Sequence, residues 1–312
     1  MDELAYLQVS RVCNQKCVFC SNPANGRVIS WKEAAAWVDK FVESRAAGVI
    51  LTGGEPTMFP QLPRLVAYAV ERRLTPRLIT NGQKTADPAY MRALAKAGLP
   101  HMHLSIHSCR PAVQARLSGN PDSLENIRRS LRNATALGVR VDINTVINKA
   151  NAGHLSETVR WVAAQAPAVK HFVWNNLDPL MNKGAGKSDM TPRLRDFEVE
   201  LHRAMAWLAS TGRTFRVERV PLCFMSEFPH RSTETRKLVK DEARSIYFLD
   251  EKGLRIQDKT AWTYEKGACC RDCRLEKLCA GLYQLGVYYS EEELCPVFTD
   301  PAWVARRVRE DS

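Results

Sequence analysis

The chain has 312 residues, of which 45% are hydrophobic and ten are cysteine, and its formal net charge is +11. This length suffices for one large α/β domain with a small appendage and a substantial core. The N-terminal segment has no basic region typical of a secretory signal, and no apolar run approaches the ~20 residues that span a membrane. We therefore predict a cytoplasmic protein, in which the cysteines serve metal binding or catalysis more than disulfides.

The positive charge favours acidic partners, such as an acidic peptide, a phosphorylated metabolite or RNA. The basic residues are spread over many predicted helices, for example at Arg72, Arg73, Arg306 and Arg307. An ordinary solvated surface therefore explains the charge as well.

From Leu4 to about Val220 the chain alternates short β-rich runs with amphipathic stretches. Several runs are near-continuously apolar, as expected of parallel strands that are covered on both faces. The predicted strands are Ala5–Ser10, Gly48–Thr52, Arg77–Thr80, His101–His107, Arg140–Ile147, Lys170–Asn175 and Thr214–Val220. The predicted helices are Trp31–Ala46, Leu62–Arg73, Pro88–Ala97, Leu124–Leu137, Leu155–Ala166 and Pro192–Ser210. Repeated strand–helix units predict a parallel sheet in a full or partial barrel, with ligands at the carboxyl ends of the strands.

The pattern changes after about residue 220. The segment 226–244 is charged, and a β-hairpin is predicted from Ser245–Asp250 and Leu254–Asp258. A cysteine-rich segment and a basic tail follow it. We place a domain boundary within 221–245, so that 221–312 forms a small second domain.

Cys13, Cys17 and Cys20 follow the first predicted strand with the spacing Cys-x3-Cys-x2-Cys. Three thiolates are one ligand short of the four iron sites of a [4Fe–4S] cube, so the fourth iron is open to an exogenous ligand. Zinc is the main alternative, although zinc ligands more often come as two separated Cys-x2-Cys pairs.

At this run the chain resembles the radical S-adenosylmethionine (radical SAM) enzymes, in which SAM caps the fourth iron. Segments near the ends of the predicted strands resemble further family segments: Gly53-Gly54-Glu55, Thr80-Asn81-Gly82, Leu104-Ser105-Ile106-His107 and the stretch 141–146. The resemblance covers about residues 4–220 and implies a partial (β/α)6 TIM-like barrel there. The residues that it assigns to SAM binding are Phe19, Gly53, Gly54, Glu55, Asn81, Ser105 and Asn144.

The resemblance also implies the chemistry. A reduced cluster donates one electron to SAM, the bond from sulfur to C5′ breaks, and the resulting 5′-deoxyadenosyl radical abstracts a substrate hydrogen. The resemblance implies an electron donor such as flavodoxin or ferredoxin.

The cysteines behind the hairpin resemble the C-terminal auxiliary-cluster extensions of radical SAM enzymes, called SPASM with two clusters and twitch when shorter. We predict one auxiliary [4Fe–4S] cluster, whose four ligands are Cys223, Cys270, Cys273 and Cys279. Zinc held by four cysteines is the alternative. Two further cysteines offer substitutes: Cys269 for Cys270, and Cys295 for Cys223.

Cys109, just past the fourth predicted strand, is a candidate catalytic thiol that returns a hydrogen atom to a substrate radical, as in peptide epimerases. The alternative role of its side chain is that of a small apolar filler. His107 shares a strand face with Ser105 and would lie near the substrate if Ser105 faces SAM, although a structural role is the alternative.

A polar stretch ends the sixth predicted strand. Its candidate contacts to substrate or SAM are Asn175, Asn176 and Asp178, with an ordinary polar loop as the alternative.

Relatives with such extensions commonly modify ribosomally made peptides, so we predict crosslinking, epimerisation or oxidation of a peptide. The alternatives are a radical SAM dehydrogenase or transferase for a small metabolite, an RNA-modifying enzyme, and a non-enzymatic iron–sulfur carrier. The chain starts directly on the first strand, so we expect no leader-binding winged helix, and a separate leader-peptide-binding protein is a possible partner. No appended RNA-binding fold is visible, so nucleic acid is not an expected partner.

Overall fold

The structure is a computed structural model that describes residues 4–21, 24–177, 190–257 and 263–311. Two predicted positions, Asp178 at the end of the sixth strand and Asp258 at the end of the hairpin, lie outside the described residues. Among the helices of the described ranges, none combines the length and apolar character needed to cross a bilayer.

The strands of these ranges form one sheet. Their bounds are β1 Leu4–Ser10, β2 Gly48–Gly53, β3 Thr75–Thr80, β4 His101–Ser105, β5 Arg140–Ile147, β6 His171–Asn176, β7 Thr214–Glu218, β8 Arg244–Phe248 and β9 Gly253–Gln257. They lie in the order β7-β6-β5-β4-β3-β2-β1-β8-β9. Every neighbouring pair from β7 to β8 is parallel, and only β8 and β9 are antiparallel. The sheet stays open between β7 and β9, which confirms the prediction of a partial TIM-like barrel.

The helices connect and cover these strands. Their bounds are α1 Trp31–Glu43, α2 Leu62–Glu71, α3 Pro88–Lys96, α4 Pro111–Ser118, α5 Ser123–Ala136, α6 Leu155–Gln165, α7 Leu194–Ser210, α8 Thr233–Lys240 and α9 Pro301–Glu310. Polar caps set several helix starts. The Ser30 hydroxyl accepts from Glu33 N at the start of α1, and the Asp87 carboxylate accepts from Ala89 N at the start of α3.

The main core lies between the helices and one face of the sheet. Leu7, Leu51 and Leu104 of alternate strand positions are buried there with the helix residues Leu65 and Leu131. Successive strand residues point to opposite faces, so the neighbours of these leucines line the concave face. That face carries polar side chains in the fourth and fifth strands, and it is where the parallel strands present a site at their carboxyl ends.

The predicted hairpin is present, and its first strand joins the main sheet. β8 pairs in parallel with β1, with Ala5 opposite Ser245 and Leu7 opposite Tyr247. The hairpin therefore extends the barrel sheet past β1. The boundary within 221–245 stays a prediction.

Helix α4 is absent from the predicted elements. It has proline at its first position and ends at Gly119, whose φ of +65° is the left-handed conformation that suits glycine. Its apolar side chains, Val113 and Leu117, are too few to give a helical period in the sequence.

Candidate active site

The end of β2 lies directly against the start of the loop that carries the first three cysteines. Gly54 N donates to Ser10 O at 2.5 Å, and Glu55 N donates to Val12 O at 2.9 Å. A side chain on Gly53, whose φ is +142°, would collide with the Ser10 carbonyl, and a Cβ on Gly54 would lie 2.8 Å from Val12 O. The two glycines are therefore required for this close approach of two backbones.

The end of α4 forms backbone hydrogen bonds with the middle of the same loop. Lys16 N donates to Ser118 O and Val18 N to Leu117 O, each at 3.0 Å. A Cβ on Gly119 would lie 3.2 Å from the Lys16 carbonyl oxygen, so this helix end also needs glycine. The helix that the sequence did not predict thus positions the cysteine loop.

A buried network of side-chain hydrogen bonds supports the loop that carries Cys13, Cys17 and Cys20. Gln15 Nε2 donates to Ser123 Oγ at 3.0 Å, and Gln114 Nε2 donates to the same oxygen at 3.0 Å. Gln15 also touches two of the cysteines, because its backbone N–H donates to Cys13 Sγ and its Oε1 accepts from the Cys17 thiol. Sequence reasoning missed this network, since isolated Gln and Ser residues carry no pattern that marks them.

The three thiols of the loop influence one another. Burial raises the pKa of Cys17 to about 12, and the charges of Cys20 and Cys13 add to the effect. Burial likewise raises the pKa of Cys13. The thiolate is the form that ligates metal, and a metal cation held among these sulfurs would offset both burial and mutual repulsion. The donor set of three neighbouring thiols therefore fits a three-thiolate cluster.

Glu55 is held rigidly beside this loop. Its side chain is 1% exposed. Its Oε1 accepts from Thr57 N, Thr57 Oγ1 and Thr80 Oγ1 at 3.1, 2.6 and 2.7 Å, and its Oε2 accepts from Asn81 N at 2.8 Å. Burial raises the pKa of the carboxyl, whereas these donors lower it. Oε2 keeps acceptor capacity for a further cation.

Asn81 connects Glu55 to the cysteine loop. Besides its backbone bond to the carboxylate, its Nδ2 donates to Asn14 Oδ1 at 2.7 Å and lies 3.8 Å from Cys13 Sγ. The predicted residues at the ends of β1, β2 and β3 are thus brought together.

Ser105, Asn144 and Asn175 lie on neighbouring strands at the same end of the sheet. Ser105 is opposite Asn144 in the register of β4 and β5. Asn175 Nδ2 donates to Asn144 Oδ1 at 2.6 Å, and all three side chains are partly exposed. Because Asn144 accepts from Asn175, its own Nδ2 stays available as a donor.

Phe19 is buried with Leu117 and Leu177 in a small apolar cluster that also touches Cys17. Its ring packs edge-on against His107 with 4.5 Å between centroids. His107 Nδ1 accepts from Val146 N at 3.1 Å, and burial lowers the pKa of this histidine to about 3. The geometry supports the structural role for His107, as a neutral ring that backs Phe19.

Cys109 packs toward α6. Its backbone N–H donates to Thr158 Oγ1 at 3.2 Å, and its thiol is buried near Glu157. Burial, followed by that carboxylate, raises the pKa of the thiol to about 11. These contacts favour packing over catalysis, and the catalytic role of Cys109 stays a prediction.

Asn176 ties the end of β6 to the C-terminal segment. Its Nδ2 donates to Tyr289 Oη at 2.9 Å and contacts Arg219 O at 3.3 Å, while Tyr283 Oη donates to Leu177 O at 2.6 Å. Of the predicted polar contacts on this strand, Asn175 therefore lies with the candidate SAM residues, and Asn176 is engaged in tertiary structure.

A second cysteine group surrounds a small pocket that is open in part to solvent. The cysteines that line it are Cys223, Cys270, Cys273, Cys279 and Cys295, and Lys266 and Glu276 lie at its wall. The four predicted ligands are thus brought together, with Cys295 as a fifth candidate. Cys269 is not among the lining residues.

Backbone N–H groups point at the sulfurs of this cysteine pocket. Val297 N donates to Cys273 Sγ at 3.3 Å, and Gly281 N donates to Cys279 Sγ at 3.4 Å. Burial raises the pKa of Cys223 to about 12, and the neighbouring Cys295 contributes by its charge. N–H donors at thiol sulfurs are typical of ligated thiolates, so this donor set fits a metal cluster or a zinc ion.

Comparison with known proteins identifies close relatives of half of the chain. A PqqA peptide cyclase of Xanthomonas axonopodis pv. citri (strain 306) is 32% identical over 165 residues, which are 50% of this chain and 44% of that protein. A PqqA peptide cyclase of Methylocella silvestris is 30% identical over 162 residues, 50% of this chain and 43% of that protein. The chain thus spans less than half the length of these relatives.

Solved structures share the fold. Streptococcus suis SuiB bound to S-adenosylmethionine matches with a TM-score of 0.64 and 16% identity, over 90% of this chain and 73% of that chain. Native anSMEcpe with bound AdoMet and Kp18Cys peptide matches with a TM-score of 0.66 and 14% identity, over 98% of this chain and 96% of that chain. The sequence model of the Radical SAM superfamily matches residues 7–162, half of the chain, and this chain belongs to that superfamily.

Proposed function

We propose that this chain is a radical SAM enzyme that modifies a peptide. The observation that carries the proposal is the contact between the cysteine loop and the ends of β2 and β3. Asn81 bonds to Glu55 through its backbone and to Asn14 through its side chain, beside Cys13. A three-cysteine cluster site and a fixed carboxylate thus share one edge of the sheet, where a parallel sheet binds its ligands.

The first cluster would be held by Cys13, Cys17 and Cys20. SAM would lie against Gly53, Gly54 and Glu55, with the free acceptor capacity of Oε2 facing its ammonium group. Polar contacts from Asn81, Ser105 and Asn144, and the apolar ring of Phe19, would complete the pocket.

When bound, the cluster and SAM supply a one-electron cleavage that yields a 5′-deoxyadenosyl radical. An external donor such as flavodoxin or ferredoxin would deliver the electron. The chain itself contributes position and shielding, since the loop is fixed by α4 and by the Gln15 network.

The cysteine pocket would hold one auxiliary [4Fe–4S] cluster in a twitch-like C-terminal domain over 221–312. The convergence of five cysteines on one pocket supports this proposal. Cys223, Cys270, Cys273 and Cys279 are the proposed ligands, and four thiolates complete a cluster without an open iron.

A peptide substrate is supported by the relatives and structural neighbours. The two curated relatives described above are PqqA peptide cyclases, SuiB is solved with precursor peptide SuiA, and anSMEcpe is solved with a peptide. Crosslinking, epimerisation and oxidation are the proposed outcomes. The net charge of +11 favours an acidic peptide.

The two cysteine groups can be separated by one experiment. After anaerobic reconstitution, the wild-type chain should carry about eight irons and form 5′-deoxyadenosine from SAM under dithionite. Cys17→Ser should keep about four irons and form no 5′-deoxyadenosine, whereas Cys273→Ser should lose about four irons and still cleave SAM. A fully loaded wild-type chain that does not cleave SAM would contradict the enzyme proposal. A content of about four irons and one zinc would mean that the second cysteine group binds zinc and not an auxiliary cluster.

The peptide proposal is tested with any short peptide whose reading frame adjoins the gene of this chain. Incubation with the reconstituted protein, SAM and dithionite should change the mass of the peptide and raise 5′-deoxyadenosine formation. Cys17→Ser protein is the control. An unchanged peptide with ongoing SAM cleavage would favour the small-metabolite alternative.

A further inference from the structure

Three potential metal ligands meet on the concave face of the sheet, within the first three residues of β4 and of β5. The ligand atoms of His101, His103 and Asp142 all lie within 4.8 Å of one another. His101 and His103 point to the same face of β4, and Asp142 is opposite His103 in the register of β5. Along the strands, His101 lies ~13 Å from Ser105, whereas His103 lies ~7 Å from Ser105 and Asp142 ~7 Å from Asn144.

The Nε2 atoms of both histidine rings are buried. Within the described residues, His101 Nε2 and His103 Nε2 have no hydrogen-bond partner. His101 Nε2 lies 2.8 Å from Asp142 Oδ2, at ion-pair distance. Two donors on one tetrahedral Zn²⁺ at ~2.1 Å lie ~3.4 Å apart, so His101 and Asp142 would separate by less than ~1 Å to share an ion.

Unpartnered buried nitrogens carry a desolvation cost that a metal ion would remove. His101 is 6% exposed and Asp142 3%, so both are shielded on a folded, rigid pair of strands.

We propose that His101, His103 and Asp142 form a divalent metal site of the zinc type, separate from both cysteine groups. Two imidazoles and one carboxylate are a common ligand set for Zn²⁺, and the fourth position would be left to water. The site lies on the amino-terminal side of Ser105 and Asn144, so we assign it a role in stabilising the barrel rather than in the reaction at the carboxyl ends of the strands.

Two nearby arginines affect the affinity of this site for a metal ion. Arg140 Nε donates to Asp142 Oδ1 at 3.1 Å, and Arg77 also acts on the cluster electrostatically. Arg140 Nη2 also donates to Asp142 Oδ2 at 3.3 Å, the oxygen that faces His101. The Arg140 side chain is 64% exposed, so it can turn into solvent. Binding of the ion through Oδ2 would displace this exposed guanidinium into solvent.

The test uses the reconstituted holoprotein with both cysteine groups loaded with iron. After incubation with Zn²⁺ and removal of free metal, the wild-type chain should retain about one zinc, whose X-ray absorption spectrum shows nitrogen and oxygen donors and no sulfur. His103→Gln should lose this zinc and keep its iron, and its melting temperature should no longer rise on addition of Zn²⁺. His202→Gln, at a half-exposed histidine of α7, is the matched control and should behave like the wild type.

Three outcomes would overturn the proposal: no zinc retained by the wild-type chain, zinc retained equally by His103→Gln, or zinc bound through sulfur. If His103→Gln fails to load iron and is therefore misfolded, the absorption spectrum of the wild-type protein decides alone. Failure of this site leaves the proposed SAM chemistry unaffected, because the iron content and 5′-deoxyadenosine formation are measured separately.

Discussion

Gly53 is the residue on which the contact between β2 and the cysteine loop depends. Its φ of +142° is a conformation that residues with side chains rarely adopt, and a Cβ there would meet the Ser10 carbonyl. Gly153 has no such conformation and no atom within 4 Å of a Cβ, so it offers a matched comparison in the same chain.

Gly53→Ala should lower the free energy of unfolding by more than ~2 kcal/mol, because backbone strain and steric overlap add. The same variant should load less iron at the first cysteine group. Gly153→Ala should change neither quantity appreciably. Chemical denaturation and iron content per chain check both variants, and equal behaviour of the two would refute the role of Gly53.

The thiol of Cys109 has two candidate roles, packing and hydrogen donation to a substrate radical. Its burial against α6 and its raised pKa favour packing. We expect Cys109→Ala to keep product formation with a peptide substrate and to cost about 1 kcal/mol of stability, from the cavity left behind. Product analysis by mass spectrometry checks this. Loss of product with 5′-deoxyadenosine formation intact would instead establish the thiol as the hydrogen donor.

At the scale of elements, the turn of the β8–β9 hairpin is joined to the ends of the cysteine loop by an ion pair and hydrogen bonds. The Asp250 carboxylate forms an ion pair with Arg11 and accepts from Asn25 Nδ2 at 2.8 Å, and its backbone carbonyl accepts from Arg27. The side chain of Arg11 is 9% exposed, so this ion pair is largely shielded. The hairpin therefore supports the loop that carries the first three cysteines.

Asp250→Ala should make both the cysteine loop and the hairpin more mobile. It should lower the free energy of unfolding by about 1–3 kcal/mol, because the buried guanidinium of Arg11 loses a charged partner. Hydrogen exchange should become faster in the cysteine loop and in the hairpin. Glu251→Ala, which removes an exposed pair with Arg255, is the control and should leave the exchange of the loop unchanged. Equal exchange in the two variants would mean that the hairpin does not support the loop.

The alternation of strands and helices was predictable, whereas two connections of the elements were not. Each strand from β1 to β7 carries its own apolar run, so local pattern suffices to find it. Helix α4 has too few apolar residues to show a period, although Pro111 and Gly119 mark its ends. The pairing of β8 with β1 joins segments about 240 residues apart, as Ala5 and Ser245 show, and no local pattern encodes such a partner.

At the scale of the whole molecule, five cysteines compete for four positions around one pocket. Cys223 lies in a 3-10 turn whose neighbours Leu222 and Phe224 are buried in the core, while Cys295 is exposed. A ligand fixed by the core needs less ordering on cluster binding than an exposed one. Cys223 is therefore the expected fourth ligand.

Cys223→Ser should lose about four irons per chain, and Cys295→Ser should retain about eight. Iron analysis and the electron paramagnetic resonance spectrum of the reduced protein check the pair. The reverse result would assign the position to Cys295. Equal retention in both variants would show that either cysteine can serve.

The sequence by itself determined the chemistry of the first site and the class of the fold. Cys13, Cys17 and Cys20 lie within one loop, and the Gly53–Glu55 segment ends the next strand, so short-range spacing and strand-end positions suffice to predict their meeting. The tertiary structure alone decided the support of that loop by α4, Gln15 and the hairpin, the fifth cysteine of the pocket, and the cluster of His101, His103 and Asp142. These features join residues far apart in the chain, and such contacts follow from sheet register and packing rather than from local pattern.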